Sequence, residues 1–348
     1  MFTFNLISRE ETTYIEENIK NKRGDEVIIK PCQIPYHVTQ YQVFAQRLKS
    51  GLMKDIFEEK LRKGLAGYRG EKSIGYYLEF LPAMDYLIFH GLRLANGDSI
   101  FQMDCLILSQ TFILLLEVKN IAGTITIGNG IRQLVREFNH QTDAFDDPLL
   151  QAEIHRKRLL YWLRKEYPAF PDLPIETLVV FASPGVIKTP NINPLQTEKI
   201  IRSSALEHKI EELIQKYPQT IASSDKLEVL SCKLLTSHRD LKINPFQTGK
   251  IKFEDIVKGV QCPRCHAFSM RWRQKNWHCP SCNFISKDAH IPALLTDYRL
   301  MCGTTITNAQ CRDFLRLDSS DVSKYLLQSL CLGSVGNNRG RIYILPEN

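Results

Sequence analysis

Two Cys-x-x-Cys pairs constrain this chain more than any other feature. Cys262 and Cys265 form the first pair, Cys279 and Cys282 form the second, and 13 residues separate them, enough for a β-hairpin. Four thiolates at this spacing can close a tetrahedral zinc site, whereas a thioredoxin-type redox site needs only one such pair at the start of a helix. The sequence therefore predicts a four-cysteine zinc ribbon in which Zn²⁺ is structural.

Cysteine usage and composition narrow the class of protein. The chain has 348 residues, and seven of its ten cysteines lie between Cys262 and Cys331. Disulfide-dense scaffolds are short and secreted, whereas this chain is long and starts without the basic segment and apolar core of a signal peptide. No apolar run approaches the roughly 20 residues that cross a bilayer. We therefore expect a cytoplasmic, multidomain protein that does not bind a membrane.

A nearly continuous apolar run, residues 112–116, ends in Glu117, Val118 and Lys119. Such a run is typical of a central strand covered on both faces. Glu117 and Lys119 are two residues apart and therefore share one face of the strand. Asp104 lies on the preceding predicted strand, and a short turn lets hairpin pairing place it beside Glu117.

Two converging carboxylates form an oxygen-rich site suited to Mg²⁺ or Mn²⁺. Such a cation can polarise a phosphate and lower the pKa of a water molecule, while Lys119 positions that water or offsets developing charge. Phosphodiester hydrolysis needs these parts. The alternative is structural: Glu117 is a strand-end acid paired with Lys119. The functional hypothesis is favoured because a charged pair at the end of a buried strand costs free energy without a partner or a metal.

Strand and helix patterns alternate across residues 66–240, which predicts an α/β domain. Before it, residues 1–66 are mainly helical and polar, and Gly64 and Gly67 are expected to end that segment. Residues 70–81 and 148–166 have the apolar spacing of helices. A hairpin is predicted about the turn Gly128-Asn-Gly. Three histidines, His90, His140 and His155, match no ligand or nucleophile pattern and are expected to be surface or satisfied side chains.

Five short motifs occur in order along residues 67–181. They are Gly67-Tyr-Arg-Gly-Glu71, Phe101-Gln-Met-Asp104, Leu116-Glu-Val-Lys-Asn-Ile-Ala-Gly123, Pro148-Leu-Leu-Gln151 and Val179-Val-Phe181. This series resembles the nuclease-related domain (NERD) of the restriction-endonuclease-like PD-(D/E)xK superfamily. One departure is Asp147, where the family more often has asparagine.

The resemblance implies an α/β fold with a mixed sheet flanked by helices, and nuclease activity that depends on Mg²⁺ or Mn²⁺. It also implies roles for five side chains. Asp104 and Glu117 would be metal ligands, Lys119 the catalytic lysine, Glu71 an additional acid and Gln151 a polar helix residue facing the site.

Basic and aromatic residues alternate within the predicted zinc ribbon. Residues 251–348 carry 13 Lys and Arg against 8 Asp and Glu. The basic residues assigned to DNA contact there are Arg264, Arg271, Arg273 and Lys275. Trp272 and Trp277 stand among them, and this pattern suits contact with a phosphate backbone and stacking on bases. For the tryptophans, packing over the small zinc module is an equally good interpretation.

The C-terminal region has the pattern of two helices followed by a basic hairpin. Thr307 and Gln310 form a capping box for the first helix, and residues 318–321 begin the second. This order resembles a winged helix-turn-helix domain. The residues expected to contact DNA are Ser319, Ser320, Ser323 and Lys324 on the second helix, and Arg339 and Arg341 on the wing. The alternative is a helical hairpin that contacts proteins.

We therefore expect five regions. They are a helical extension (1–65), a nuclease-like domain (66–185), the completion of the α/β domain with a linker (186–255), a zinc ribbon (256–290) and a winged-helix-like domain (291–348). The leading hypothesis is a metal-dependent nuclease whose C-terminal modules bind nucleic acid, with DNA favoured over RNA as the substrate. The rival is a catalytically idle DNA-binding or regulatory protein that uses the nuclease fold as a scaffold; a third hypothesis is a protein–protein adaptor. No Gly-x-x-x-x-Gly-Lys-Ser/Thr loop occurs, so no nucleotide cofactor is expected.

Overall fold

The computed structural model describes residues 28–82, 85–128, 132–190, 192–337 and 340–346. Residues 1–27 of the predicted extension, most of the turn predicted after Gly128, and the predicted wing residue Arg339 lie outside this part. The chain divides into two units. Within the described ranges, the first unit consists of residues 28–35 and 64–241. The second unit consists of residues 36–63 and of the described residues from 242 onward.

Eight helices are used below. They are α1 (Tyr36–Arg47), α2 (Leu52–Ser73), α3 (Pro148–Glu166), α4 (Leu206–Lys216), α5 (Ser224–Ser237), α6 (residues 290–302, comprising His290–Pro292, a π-helical stretch Ala293–Tyr298 and Arg299–Cys302), α7 (Asn308–Leu315) and α8 (Ser320–Leu330). Single turns occur at Gly75–Leu78, Pro194–Thr197, Ser203–Ala205 and Phe253–Asp255.

Sixteen strands are described. Those of the first unit are β1 (Ile28–Lys30), β2 (Tyr86–Asn96), β3 (Ser99–Ser109), β4 (Ile113–Lys119), β5 (Thr124–Ile127), β6 (Gln133–Phe138), β7 (Gln141–Asp146), β8 (Ile175–Phe181), β9 (Val186–Lys188) and β10 (Ile200–Arg202). Those of the second are β11 (Arg271–Arg273), β12 (Asn276–His278), β13 (Ile285–Ser286), β14 (Thr305–Thr307), β15 (Gly333–Val335) and β16 (Ile342–Ile344).

The main sheet of the first unit is mixed. Its strand order is β1-β2-β3-β4-β8-β10. Strands β2, β3 and β4 pair antiparallel, whereas β4 pairs parallel with β8, and β8 parallel with β10. A second sheet, in the order β7-β6-β5-β9, contains the antiparallel β5–β6 hairpin. The predicted α/β class with a mixed sheet flanked by helices is confirmed.

Strand β4 is central and covered on both faces, as its apolar run predicts. Ile113 and Leu115 belong to a core that includes Leu159 and Trp162 of α3. Leu114 and Leu116 belong to the opposite core, which includes Leu206 and Ile210 of α4. Odd-numbered residues of β4 therefore face α3, and Glu117 and Lys119 continue that side of the strand.

Helix α2 contradicts the prediction that Gly64 and Gly67 end a helical segment. It continues without a break from Leu52 to Ser73. A glycine inside a helix costs only about 1 kcal/mol relative to alanine. The surrounding residues, including several Lys, Glu and Leu, are good helix formers and outweigh that cost.

The second unit contains two small sheets and a helical core. Strands β11, β12 and β13 form an antiparallel sheet. The first Cys-x-x-Cys pair precedes β11, and the second lies between β12 and β13. Farther along the chain the order is α6-β14-α7-α8-β15-β16, and the three strands pair antiparallel in the order β14-β16-β15. The predicted capping box is present, since Thr307 and Gln310 exchange hydrogen bonds at the start of α7.

Candidate functional site

The carboxylates predicted from sequence meet where β3 and β4 separate. The two strands pair in register up to Cys105 and Leu116. Beyond that point the Asp104 side chain replaces the partner strand, because its Oδ2 accepts a hydrogen bond of 2.8 Å from the Val118 backbone N–H. Asp104 therefore lies beside Glu117, on the face of the sheet that α3 covers.

Lys119 is held between a strand and a helix. Its Nζ donates to Glu117 Oε1 at 2.8 Å and to Gln151 Oε1 at 2.7 Å. Gln151 lies in the first turn of α3, whose start is fixed by Asp147. That carboxylate accepts a hydrogen bond from the Leu149 N–H at 2.8 Å, and Pro148 occupies the first helical position. Aspartate is a strong N-cap, so the departure from asparagine preserves the start of the helix.

His155 also belongs to this site, contrary to the sequence-based expectation. Its Nδ1 lies 3.3 Å from Glu117 Oε2. Gln151 and His155 are four residues apart on α3 and therefore lie on the same face of the helix. That spacing was the available signal: once Gln151 is placed at the site, the residue one turn later shares its surroundings.

Glu71 reaches the site because α2 approaches the end of β4 closely. A Cβ atom at Gly70 would lie 2.5 Å from Asn120 Cβ, which is closer than real contacts allow. Asn120 Nδ2 in turn donates to the Ala66 carbonyl of the same helix at 2.8 Å. The glycine beside Glu71 is thus needed for helix–strand packing, which the motif alone did not reveal.

Three carboxyl groups lie close together in this largely buried site, and the repulsion between them is unfavourable without a cation. Burial, and then the negative charges of Glu117 and Glu71, raise the pKa of Asp104 well above its ordinary value. Burial and the charge of Glu117 raise the pKa of Glu71 to about 7, although Lys30 opposes this shift. Like charges at one site disfavour ionisation of both.

Glu117 behaves differently because cationic and donor groups surround it. Burial raises the pKa of its carboxyl, but the hydrogen bond from His155 and the charge and hydrogen bond of Lys119 outweigh burial and lower that pKa overall. Its side chain is only 7% exposed. Glu117 is therefore the ionised member of the cluster, with its two oxygens facing different partners.

The donor set fits a divalent cation. Asp104 and Glu117 offer carboxylate oxygens side by side, and Mg²⁺ is commonly held by one or two carboxylates together with water and substrate phosphates. A bound cation would also offset the repulsion that raises the pKa values of Asp104 and Glu71. This site could therefore hold a divalent metal ion.

Comparison with known proteins supports the same conclusion. Residues 66–182 match the family model of the nuclease-related domain (NERD). The match includes all six side chains of the site and is consistent with the restriction-endonuclease-like superfamily, which confirms the resemblance drawn from the five motifs. Neither a curated protein nor a solved structure matches the chain.

The cysteines of the two Cys-x-x-Cys pairs, which lie outside the matched residues, form a second cluster. Cys262 Sγ and Cys282 Sγ lie 3.6 Å apart, and Cys265 Sγ and Cys279 Sγ 3.5 Å apart. All four sulfur atoms lie within 4.8 Å of one another. A zinc–sulfur distance of about 2.3 Å in a tetrahedron requires sulfur separations of about 3.8 Å. The cluster could therefore hold zinc.

The two tryptophans of the ribbon have different surroundings. Trp277 is fully buried, and its Nε1 donates to His290 Nδ1 at 3.1 Å. Trp272 is half-buried and packs edge-on against Trp277, with ring centroids 5.4 Å apart. Packing therefore accounts for Trp277, whereas part of Trp272 stays accessible. The predicted contact residues Arg264, Arg271, Arg273 and Lys275 are all exposed.

One predicted contact on α8 is wrong. Ser323 is fully buried, and its hydroxyl donates to the Asn308 carbonyl at 3.3 Å. It faces α7 because residues three and four apart, such as Ser323, Leu326 and Leu327, share the buried side of the helix. The other predicted residues of this helix, Ser319, Ser320 and Lys324, are exposed. Arg341, which immediately precedes β16, is half-buried.

Among the described residues, no helix is long and apolar enough to cross a membrane.

Proposed function

We propose that this protein is a metal-dependent nuclease that hydrolyses phosphodiester bonds in DNA. The arrangement that carries this proposal is Lys119 held at 2.8 Å from Glu117, beside Asp104, in a region matching the nuclease-related domain. A lysine next to two carboxylates at a strand end combines metal ligands with a cation for the developing charge.

The chain's own side chains have distinct tasks in this mechanism. Asp104 and Glu117 would hold Mg²⁺ or Mn²⁺, which would offset charge on the scissile phosphate and lower the pKa of the attacking water. Lys119 orients that water and offsets charge as the phosphate becomes pentacoordinate. Gln151 keeps the lysine ammonium in place through its 2.7 Å hydrogen bond. His155 fixes the second oxygen of Glu117.

Glu71 adds a third carboxyl group to the site. Without a metal ion, burial and the charge of Glu117 raise the pKa of Glu71 to about 7, and a bound cation would lower it. An ionised Glu71 would accept a proton from the attacking water. Its position on a helix packed tightly against β4 holds it beside the same cluster.

The second unit supplies nucleic-acid binding in this proposal. The four-cysteine cluster holds a structural Zn²⁺, and the order helix, strand, helix, helix, strand, strand after it supports a winged-helix interpretation. Arg264, Arg271, Arg273 and Lys275 on the ribbon, with Lys324, Arg341 and Arg339, are the expected DNA contacts.

The test is a Mg²⁺ and Mn²⁺ titration on supercoiled plasmid and linear DNA. Wild-type protein should cut only with added metal, and Lys119→Ala should not cut. Lys165→Ala, which removes an exposed lysine from the end of α3, should retain wild-type cleavage. Binding without cleavage by folded, metal-loaded protein would refute the nuclease proposal and favour the idle DNA-binding scaffold.

A further inference from the structure

A cleft in the second unit collects arginines from two separate modules. Its volume is about 640 Å³. One wall is strand β11, which contributes Arg271, Trp272 and Arg273. The other wall is the end of α7 and the turn into α8, which contribute Arg312 and Arg316. The zinc-site sheet and the helix pair thus line one concave surface.

The four arginines lack partners within the described part of the chain. No hydrogen bond or ion pair involves the guanidinium group of Arg271, Arg273, Arg312 or Arg316, and the Nε of Arg312 is buried without an acceptor. Arg156, by contrast, is paired with Glu153 at 2.7 Å. Buried donors without acceptors cost free energy, so this cleft is suited to an anion from outside.

The acidic residues of the cleft do not neutralise it. Asp313 is held by Lys258, whose Nζ lies 2.7 Å from its carboxylate. Asp318 is the remaining acid on the wall, against four arginines. The surplus is therefore positive. The left-handed backbone of Arg316, with φ 57° and ψ 53°, ends α7 and turns the chain toward α8 at this wall.

The shape and charge of the cleft favour binding of a polymer with regularly spaced phosphates. Planar guanidinium groups bind phosphate oxygens in a bidentate manner, and four of them spread over an open cleft match several phosphates better than one. Trp272 adds an aromatic face among them, and aromatic side chains between cationic ones bind unpaired bases by stacking.

We infer that this cleft binds the phosphodiester backbone of a nucleic acid, with Arg312 and Arg316 as contact residues alongside Arg271 and Arg273. The inference rests on the proposed function only for the identity of the polymer. It places the main electrostatic contact with the nucleic acid between β11 of the ribbon and the turn from α7 into α8, rather than on the exposed face of α8.

The test measures binding separately from cleavage. Full-length zinc-loaded protein, in buffer without Mg²⁺, is titrated against labelled duplex and single-stranded DNA over a salt series. The variant Arg312→Gln/Arg316→Gln should raise Kd about tenfold or more, and should reduce the slope of log K against log salt by about 1.5, the loss of two phosphate contacts. Unchanged zinc content and thermal melting would show that the variant is folded.

A matched control removes the same charge elsewhere. Lys250→Gln/Lys252→Gln alters two exposed lysines of the same unit outside the cleft and should change Kd less than about twofold. Equal losses in both double variants would overturn the inference, as would wild-type binding without salt dependence. Displacement of DNA by inorganic phosphate at constant ionic strength would also overturn it, because it would indicate a free-anion site.

The outcomes for the two proposals are distinguishable. Cleft-dependent binding without cleavage refutes the nuclease proposal and leaves this inference standing. Cleavage with unchanged binding by the arginine variant refutes this inference alone.

Discussion

The two polar clusters of this protein are built in opposite ways. The four cysteines lie within residues 262–282, on two turns that flank a short hairpin. The carboxylate site draws Glu71, Asp104, Glu117 and His155 from two helices and two strands. A local cluster depends on its ligand for shape, whereas a dispersed cluster depends on the packing of the whole unit.

The difference extends to what each cluster does to stability. The thiolates of a zinc site stabilise the folded state only when the metal is bound, because the free energy of metal binding contributes to folding. The carboxyl groups of Asp104 and Glu117 lie on strands and that of Glu71 on a helix, all of them packed without a metal. Burial, and then mutual repulsion, raise the pKa values of Asp104 and Glu71. We therefore expect metal removal to unfold the first cluster and to leave the second folded but strained.

Removing one of the four proposed zinc ligands should have the largest effect. Cys279→Ser is expected to lose the metal and to unfold the ribbon, since zinc contributes about 10–16 kcal/mol in small zinc modules. Metal analysis and tryptophan fluorescence would report the loss, because Trp277 is fully buried beside this site. Cys302→Ser, at an exposed cysteine, should retain zinc. Wild-type fluorescence in the Cys279 variant would contradict the expectation that the ribbon depends on its metal for folding.

Substitution of the proposed metal ligand Asp104 should separate activity from stability. Asp104→Asn keeps the acceptor for the Val118 N–H and removes a carboxyl group whose raised pKa costs folding free energy at neutral pH. We expect cleavage to fall about a thousandfold. We also expect the unfolding free energy of the metal-free protein to stay equal or to rise by about 1 kcal/mol. Asp172→Asn, at an exposed carboxylate, should change neither. A clear loss of stability in Asp104→Asn would show that the carboxylates are not in repulsion.

Gly70→Ala tests whether the dispersed site depends on helix packing. The added Cβ meets Asn120 Cβ, so the free energy of unfolding should fall by about 1–3 kcal/mol and cleavage should fall as Glu71 moves. Gly67→Ala in the same helix adds its Cβ into open space and should stabilise the protein by up to about 1 kcal/mol. The pair Gly70→Ala/Asn120→Gly should recover much of the loss. Equal effects at positions 67 and 70 would refute the packing argument.

The stability of the metal-free protein should depend on pH through Glu71. Its folded pKa is raised from 4.5 to about 7, so the folded state binds an extra proton between these values. The contribution of Glu71 to the free energy of unfolding is therefore complete below pH 4.5. It is lost as the pH rises through 7, which lowers the free energy of unfolding by about 1–3 kcal/mol. Chemical unfolding at several pH values would measure the slope. It should shrink in Glu71→Gln, and an unchanged slope in that variant would assign the effect to another group.

The smallest effect is expected at His155. His155→Ala removes a partner that orients Glu117, and losing such a partner typically costs about tenfold in activity or metal affinity. The half-saturating Mg²⁺ concentration should rise while DNA binding without metal stays constant. Lys157→Ala, which is 70% exposed on the same helix, is the control. An identical Mg²⁺ requirement in both variants would exclude His155 from the site.

Sequence patterns predicted the parts of this molecule that depend on local spacing. The four-cysteine cluster followed from two turns and a fixed separation. The buried strand β4, helix α3 at residues 148–166 and the Thr307 capping box followed from apolar periodicity and cap chemistry. In each case, the interacting groups lie within a few turns or one hairpin, so chain connectivity brings them together.

Other features were decided only by tertiary packing. The burial of Ser323 depends on α7 lying against α8, and the role of Gly70 depends on Asn120, 50 residues later. His155 was expected to be a surface or satisfied side chain, and nothing in the sequence singled out Arg312, until the segments that face them were in place. The sequence by itself determined which residue types are present and which local turns hold them. Contacts between distant segments determined which of those residues share a site, because burial and charge act through space rather than along the chain.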